Sequence, residues 1–272
     1  MIEIIGTIIK ALAVSVLLHL VMTMQELNFN PLGRMVASVM NPVYMKFLKI
    51  TKKRSDSLVP MTIITLTVIY GLLVMLGGGG SLLWSVYYAF DDMLRFLLIF
   101  YVVAILMGST LNRFGASVYS TFLYRLALPV VKLTRSVINV PGNIIVIPAI
   151  ILLFAAFIIL DGGVHLAYMF AVKGGISFQA AWMGAVAGLV RTLLDLVTLL
   201  TWLIIIRVLM SWISPDPSNP VVQFIVAVTE PVMEPFRKIV PPVGFIDLSP
   251  IILIFALQFL KILLVKFAAL VM

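Results

Sequence analysis

The sequence predicts an all-α polytopic membrane protein with about six transmembrane helices, arranged as three tandem two-helix units. Three observations predict it. The 272 residues are 62% hydrophobic and 11% charged, whereas a soluble domain carries about 25% charged residues. A chain so poor in charge cannot cover its own surface, and lipid is its fitting solvent. Apolar runs close to the length of a bilayer crossing recur along the whole chain, and one proline skeleton recurs with them.

A hydrocarbon core about 30 Å thick takes roughly 20 apolar residues at about 1.5 Å each. Six stretches meet or approach that length: Ile4–Met24, Met61–Leu76, Met93–Ser109, Pro148–Leu160, Ala185–Trp212 and Pro250–Met272. The second and fourth are short; they extend to Trp84 and Tyr168, or sit in locally thinned bilayer, and the count ranges from five to seven. The first stretch lacks a basic leader and a small-residue cleavage site, so it is expected to be a retained span rather than a signal peptide.

Orientation follows from the Lys and Arg between spans. The connections after spans one, three and five hold Arg34, Lys46, Lys49, Lys52, Lys53, Arg54, Arg113, Arg125, Lys132, Arg135, Arg237 and Lys238, and those after spans two and four hold Lys173 alone. The first set is expected at the cytoplasm, with both chain ends on the other side of an inner membrane. The net charge of +8 then fits anionic lipid headgroups, and no nucleic acid is expected as a direct partner. The opposite connections read as outer turns: Gly77–Gly80, with Trp84, Tyr87, Tyr88, Asp91 and Asp92 after it, and Asp161-Gly162-Gly163.

The proline skeleton defines the units. Asn219-Pro220 is followed after 11 residues by Pro231, then Phe236-Arg237-Lys238, then Asp247-Leu248-Ser249-Pro250 at the start of a span. Asn30-Pro31 is followed after the same 11 residues by Pro42, then Phe47-Leu48-Lys49, then Ser57-Leu58-Val59-Pro60. In the middle of the chain Pro129 and Pro148 are 19 apart, as Pro231 and Pro250 are, and Arg135 takes the place of Arg237. The units are residues 1–90, 91–182 and 183–272. Within each, the segment between spans is amphipathic. Leu32, Met35, Val36, Val39, Met40, Val43 and Phe47 follow helical spacing, and Gln223, Ala227, Glu230, Glu234 and Arg237 form a weak polar stripe. Such a helix lies in the headgroup plane or folds back on the spans. Pro231 and Pro235 are expected to interrupt it, and Ser249-Pro250 reads as an N-cap with proline at the first helical position.

Arg207-Val208-Leu209-Met210-Ser211-Trp212, Asn219-Pro220, Thr229-Glu230-Pro231, Pro235-Phe236-Arg237-Lys238 and Gly244-Phe245-Ile246-Asp247-Leu248-Ser249-Pro250 stand in that order. With this set the third unit resembles the YggT family (the YlmG group). The first two units are degenerate versions, lacking the intact Arg-Ser-Trp, Thr-Glu-Pro and Asp-Leu-Ser-Pro elements. The resemblance implies a non-enzymatic inner-membrane protein. It points to relatives linked to cell division, nucleoid or plastid organisation, cofactor assembly of a cytochrome complex, and osmotic tolerance.

The candidate residues fall into three groups. Arg237 and Lys238, with Glu230, Asp247 and Ser249 near in sequence, are a candidate docking surface for a partner or lipid. The structural reading is that Asp247 and Ser249 cap a helix while the basic pair anchors to headgroups. Arg191, Asp195, Arg207 and Lys261 are ionisable groups inside apolar stretches, each costing a few kcal/mol at mid-bilayer. Arg191 and Asp195 are four apart and can pair on one helix face. The set is a helix–helix or snorkelling arrangement, or a polar pathway. Lys49, Lys52, Lys53, Arg54 and Arg135 are headgroup anchors, at about 1 kcal/mol per basic residue. Asp91, Asp92 and Arg95 read as an interfacial cluster, and His19 and His165 as interfacial imidazoles. Cysteine is absent, which removes disulfides and thiolate chemistry. No phosphate loop, nucleophile elbow or carboxylate pair appears, so no enzyme activity and no cofactor is expected. The expected function is a scaffold or assembly factor binding headgroups and other inner-membrane proteins, with a homo-oligomer allowed. The alternative is an ion or small-osmolyte channel or transporter.

Overall fold

A computed structural model of the chain describes residues 2–29, 33–40, 58–78, 80–114, 118–138, 145–175, 177–213, 216–217, 219–240 and 247–271. Every element among them is a helix: α1 (Ile2–Val21), α2 (Met24–Phe29), α3 (33–40), α4 (Leu58–Leu76), α5 (Leu82–Phe114), α6 (Val118–Val137), α7 (Val146–Lys173), α8 (Phe178–Ile213), α9 (Pro220–Ile239) and α10 (Ser249–Val271). Four of them are long and apolar enough to cross a membrane: Ile2–Val21, Val146–Val172, Phe178–Ile213 and Ser249–Leu270. The protein is therefore an α-helical membrane protein. Each of the six expected stretches overlaps a helix, but α4 offers a shorter apolar segment, Pro60–Leu76, and α5 carries Asp91, Asp92 and Arg95 in its first half.

The chain packs as two compact units, Met1–Phe96 with Val164–Ile176, and Leu97–Gly163 with Ser177–Met272. Their edges cut across the three segments 1–90, 91–182 and 183–272 read from the proline skeleton.

In the first unit α1 packs on α4. Its buried residues Gly6, Ile9, Ala13, Val16 and Leu17 recur every three to four positions, the period of one helix face. Glu3 in the first turn and His19 in the last suit the helix dipole. A side chain at Gly6 has no room, because a Cβ there would lie 2.6 Å from the Tyr70 hydroxyl. Gly71 lets α4 and α5 approach backbone to backbone, its missing Cβ falling 2.8 Å from the Val86 Cα. The turn between them uses Gly78 and Gly80 at φ 90° and 99°, where an L side chain is strained. Ahead of α2, Thr23 and Glu26 form a capping box: the Thr23 N–H donates to Glu26 Oε2 at 2.7 Å, and the Glu26 N–H to Thr23 Oγ1 at 3.3 Å.

In the second unit α8 packs on α9 and α10, α9 on α10, and α6 on α9. The core between them holds Leu203 and Ile204 of α8, Ile225, Val228 and Met233 of α9, and Leu253 and Leu257 of α10. The amphipathic helix α9 packs on both spans through its apolar stripe.

Two sequence expectations are overturned. The segments expected to be proline-broken are continuous: α9 runs 20 residues through Pro231 and Pro235, and α6 runs 20 residues through Pro129. Each proline removes one ladder hydrogen bond, but burial of the opposite face holds the helix. Asn219 also fixes the start of α9, its side chain accepting from the Val221 N–H at 2.9 Å, with Pro220 at the first position. Likewise Asp161-Gly162-Gly163 is not a turn. α7 passes through it as one helix of 28 residues, since two glycines at about 1 kcal/mol each are outweighed by long apolar flanks. The turn falls later, at Gly174 with φ 65°.

Candidate functional site

The C-terminal end of α8 carries Arg207, whose side chain is 16% exposed. One guanidinium nitrogen donates to Thr229 Oγ1 at 2.7 Å and the other to Glu230 Oε2 at 2.5 Å, both on α9. Thr229 is fully buried; its hydroxyl in turn donates to the Ile225 carbonyl at 2.6 Å. The second oxygen of Glu230 accepts from Arg237 at 2.6 Å, two turns further along the same face of α9. Arg237 Nε donates to Asp247 Oδ2 at 3.2 Å. Asp247 Oδ1 accepts from the Ser249 backbone N–H at 2.9 Å, at the start of α10. One chain of ion pairs therefore ties α8 to α9 and α9 to α10.

The links differ in strength. Arg207–Glu230 is largely shielded, with Glu230 12% exposed, so loss of either partner leaves a poorly solvated charge. Arg237–Asp247 is 37% and 43% exposed, and Lys238–Glu234, at 3.0 Å, is more open still; such pairs contribute at most about 1 kcal/mol. Burial pushes the Asp247 carboxyl up, but Ser249 and the Arg237 guanidinium outweigh it and hold the group below the ordinary carboxylate range. The cap expected of Ser249 is supplied by Asp247, which accepts from the Ser249 backbone N–H.

Arg207, Arg237 and Lys238 thus face Glu230, Glu234 and Asp247, three cations against three carboxylates. The Arg237-Lys238 pair is not a free cationic patch. Lys238 nevertheless stays largely exposed.

The candidate pathway residues make separate contacts. Arg207 belongs to the ion-pair chain above. Lys261 on α10 donates to Thr198 of α8 at 3.3 Å. Arg191 and Asp195 are exposed on α8, and among the described residues no ion pair joins them, in contrast to the expected pairing. An arginine N-terminal to a carboxylate is the weaker order for such a pair. Of the anchors, Arg135 is exposed near the end of α6, while Lys49, Lys52, Lys53 and Arg54 lie outside the described residues. Among the described residues no group of three His, Cys, Asp or Glu is placed to hold a metal ion.

A second polar centre, in the first unit, escaped the sequence reading. Lys10 of α1 donates to Asp92 of α5 at 2.8 Å, and the Tyr70 hydroxyl of α4 donates to the other Asp92 oxygen at 3.1 Å. Arg95 pairs with Asp91 one turn away. Around them Trp84 stacks on Tyr88 at 5.4 Å, and Tyr87 stacks on Tyr168 at 4.6 Å while bonding His165 Nδ1 at 2.9 Å. The signal was present: a lysine inside an apolar span demands a partner. Reading Asp91 and Asp92 as interfacial hid that partner.

These features define a class, an α-helical membrane protein in which an amphipathic helix lies between two apolar spans and is tied to both by charged side chains. Residues 183–268, which hold α8, α9 and α10 but for their outermost residues, match the CCB3/YggT family model, and in that segment the chain is similar to the YggT family. It is 35% identical over 91 residues to an uncharacterized protein of Vibrio alginolyticus, covering 34% of this chain and 48% of the relative. It is 33% identical over 79 residues to the uncharacterized protein YggT of Escherichia coli K12, covering 29% and 40%. An uncharacterized protein of Pseudomonas aeruginosa is 40% identical over 63 residues, covering 23% and 32%. The matched region thus spans a third to a half of each of these relatives. No solved structure matches.

Proposed function

We propose that the protein is a non-enzymatic scaffold or assembly factor of the cell inner membrane. In this reading α9 sits at the cytoplasmic edge and holds partner proteins against it. The observation that carries the reading is the continuous chain Arg207–Glu230–Arg237–Asp247. It compensates its own charge and immobilises an amphipathic helix between two spans, which suits a rigid presenting surface better than a site of turnover. The exposed end of α9, with Pro235, Arg237, Lys238 and Ile239 outward, is the surface offered. Headgroup contact is assigned to cations outside the chain of ion pairs: Arg135 and, from the sequence, Lys49, Lys52, Lys53 and Arg54.

The test is affinity recovery of the tagged protein from mild detergent. Specific membrane proteins should accompany the wild type, and Arg237→Ala with Asp247→Ala should lower their recovery about tenfold while the variant stays folded. Recovery of the same proteins with and without these side chains would remove the reading. Potassium, sodium or proton flux above that of empty vesicles, from purified protein in liposomes, would replace it with the transport alternative. Arg207, one candidate for that pathway, is engaged by Thr229 and Glu230.

A further inference from the structure

Between Arg191 and Leu209 the exposed positions of α8 form a single stripe. Asp195, Leu199, Trp202, Ile206, Leu209 and Ile213 are all outward, at steps of four, three, four, three and four. That is the spacing of a two-stranded helix seam. Trp202 is 61% exposed and Leu209 52%. Apolar residues alone would suit lipid, but the stripe begins with two charges. Arg191 and Asp195 enter no ion pair among the described residues, and both point outward.

Their depth makes this costly. The polar layer at the lower end of α8 is marked by Arg207 and its partners. Asp195 lies 12 residues above Arg207 and Arg191 lies 16 above, which is about 18 and 24 Å at about 1.5 Å per residue. Both fall within a hydrocarbon core about 30 Å thick. The long Arg191 side chain can reach towards the far interface. The short Asp195 carboxylate cannot, and lipid has nothing to offer it.

We propose that this stripe is covered by the same stripe of a second copy, in a parallel two-fold dimer in the membrane. A two-fold interface requires a self-complementary patch, in which residue i meets residue j of the other copy and j meets i. Arg191 and Asp195, four apart and of opposite sign, form such a patch. Each Asp195 receives the other copy's Arg191, and the four charges sum to zero. Below them Leu199, Trp202, Ile206 and Leu209 form the apolar seam. The inference depends on the membrane class and α8 alone, so it is independent of the scaffold reading.

The protein has no cysteine, so single Leu199→Cys, Ile206→Cys and Leu209→Cys variants can be oxidised in liposomes holding the purified protein alone. Ile151→Cys, exposed on α7, serves as the off-seam control. The expected result is disulfide-linked dimer at all three seam positions and little at the control; equal yields would overturn the proposal. In the Leu209→Cys background, Arg191→Asp or Asp195→Arg alone should lower the yield about tenfold, the change expected of about 1.4 kcal/mol. Mixing the Arg191→Asp chain with the Asp195→Arg chain should restore it, because only a pair between chains becomes complementary. Failure of the mixture to restore, or a yield insensitive to either change, would also overturn the proposal. The seam-position comparison stands even if the charge variants do not fold.

Discussion

Arg207 of α8 and Glu230 of α9 meet at 2.5 Å, with Thr229 on the second guanidinium nitrogen at 2.7 Å. This contact joins a long apolar span to an amphipathic helix through charges that are mostly out of water. Removing one partner of a buried pair costs about 3–5 kcal/mol. Glu230 would keep Arg237, so Arg207→Ala is expected to cost about 3 kcal/mol, read as the shift in denaturation midpoint of the purified protein. Adding Glu230→Gln to Arg207→Ala should cost little more. Full additivity of the two would mean that they do not act on each other.

Asp247 gives this region a pH dependence. Its carboxyl is held below its ordinary value, so in the folded state it stays ionised to lower pH than in the unfolded chain, where it titrates near about 3.9. Its stabilising contribution is therefore full above that value and is lost as pH falls through the lower, folded value. The wild type should melt above Asp247→Asn at pH 5 and above, and the two melting temperatures should converge on acidification towards pH 2. A constant gap across that range would show that Asp247 titrates alike in both states.

Gly6 and Tyr70 set the distance between α1 and α4. Gly6→Ala places a methyl group 2.6 Å from the Tyr70 hydroxyl and 3.1 Å from Cζ, and forcing extra volume into a packed contact costs about 1–3 kcal/mol. The hydroxyl has little freedom to retreat, because it is bonded to Asp92. Tyr70→Phe in the Gly6→Ala background should recover part of the loss by removing the clashing oxygen. Thermal unfolding of the four proteins of this cycle measures it; a Gly6→Ala variant as stable as wild type would contradict the packing.

Lys10 and Asp92 should rescue each other. Each single substitution by alanine leaves the other charge inside the first unit, and a hydrogen bond to a charged group contributes about 1.5–3 kcal/mol. The exchanged pair, Lys10→Asp with Asp92→Lys, should be more stable in the membrane than either single reversal. Protein accumulation and thermal stability of the three variants provide the comparison. Equal stability of all three would mean that the contact carries no energy.

Much of the fold was legible because its signals are local. Hydropathy over some 20 residues marked α1, α7, α8 and α10, and helical spacing over a few turns marked the amphipathic stretches. Arg237, Asp247 and Glu230 were singled out as a group, and they do share a chain of contacts. Arg207 was assigned to a pathway instead, because its partner lies 23 residues away on another helix. The Lys10–Asp92 contact spans 82 residues, beyond the reach of any periodicity. Helix breakers misled in the other direction. Pro231, Pro235 and Gly162-Gly163 carry a local penalty, which burial and flanking turns override.

The sequence by itself determined the solvent of this protein. A chain with so few charges and such long apolar runs must place helices in lipid, where every backbone polar group has to be satisfied within its own segment. Which charges meet within that lipid was decided by tertiary structure. In the first unit Lys10 of α1 meets Asp92 of α5, and packing of α9 with α8 brings Glu230 to Arg207. Low dielectric then makes those meetings strong. Hydrophobic burial is roughly proportional to area and indifferent to partner, so it is written in composition. Ion pairing is directional and depends on distances of a few ångströms, which exist only once the helices are side by side.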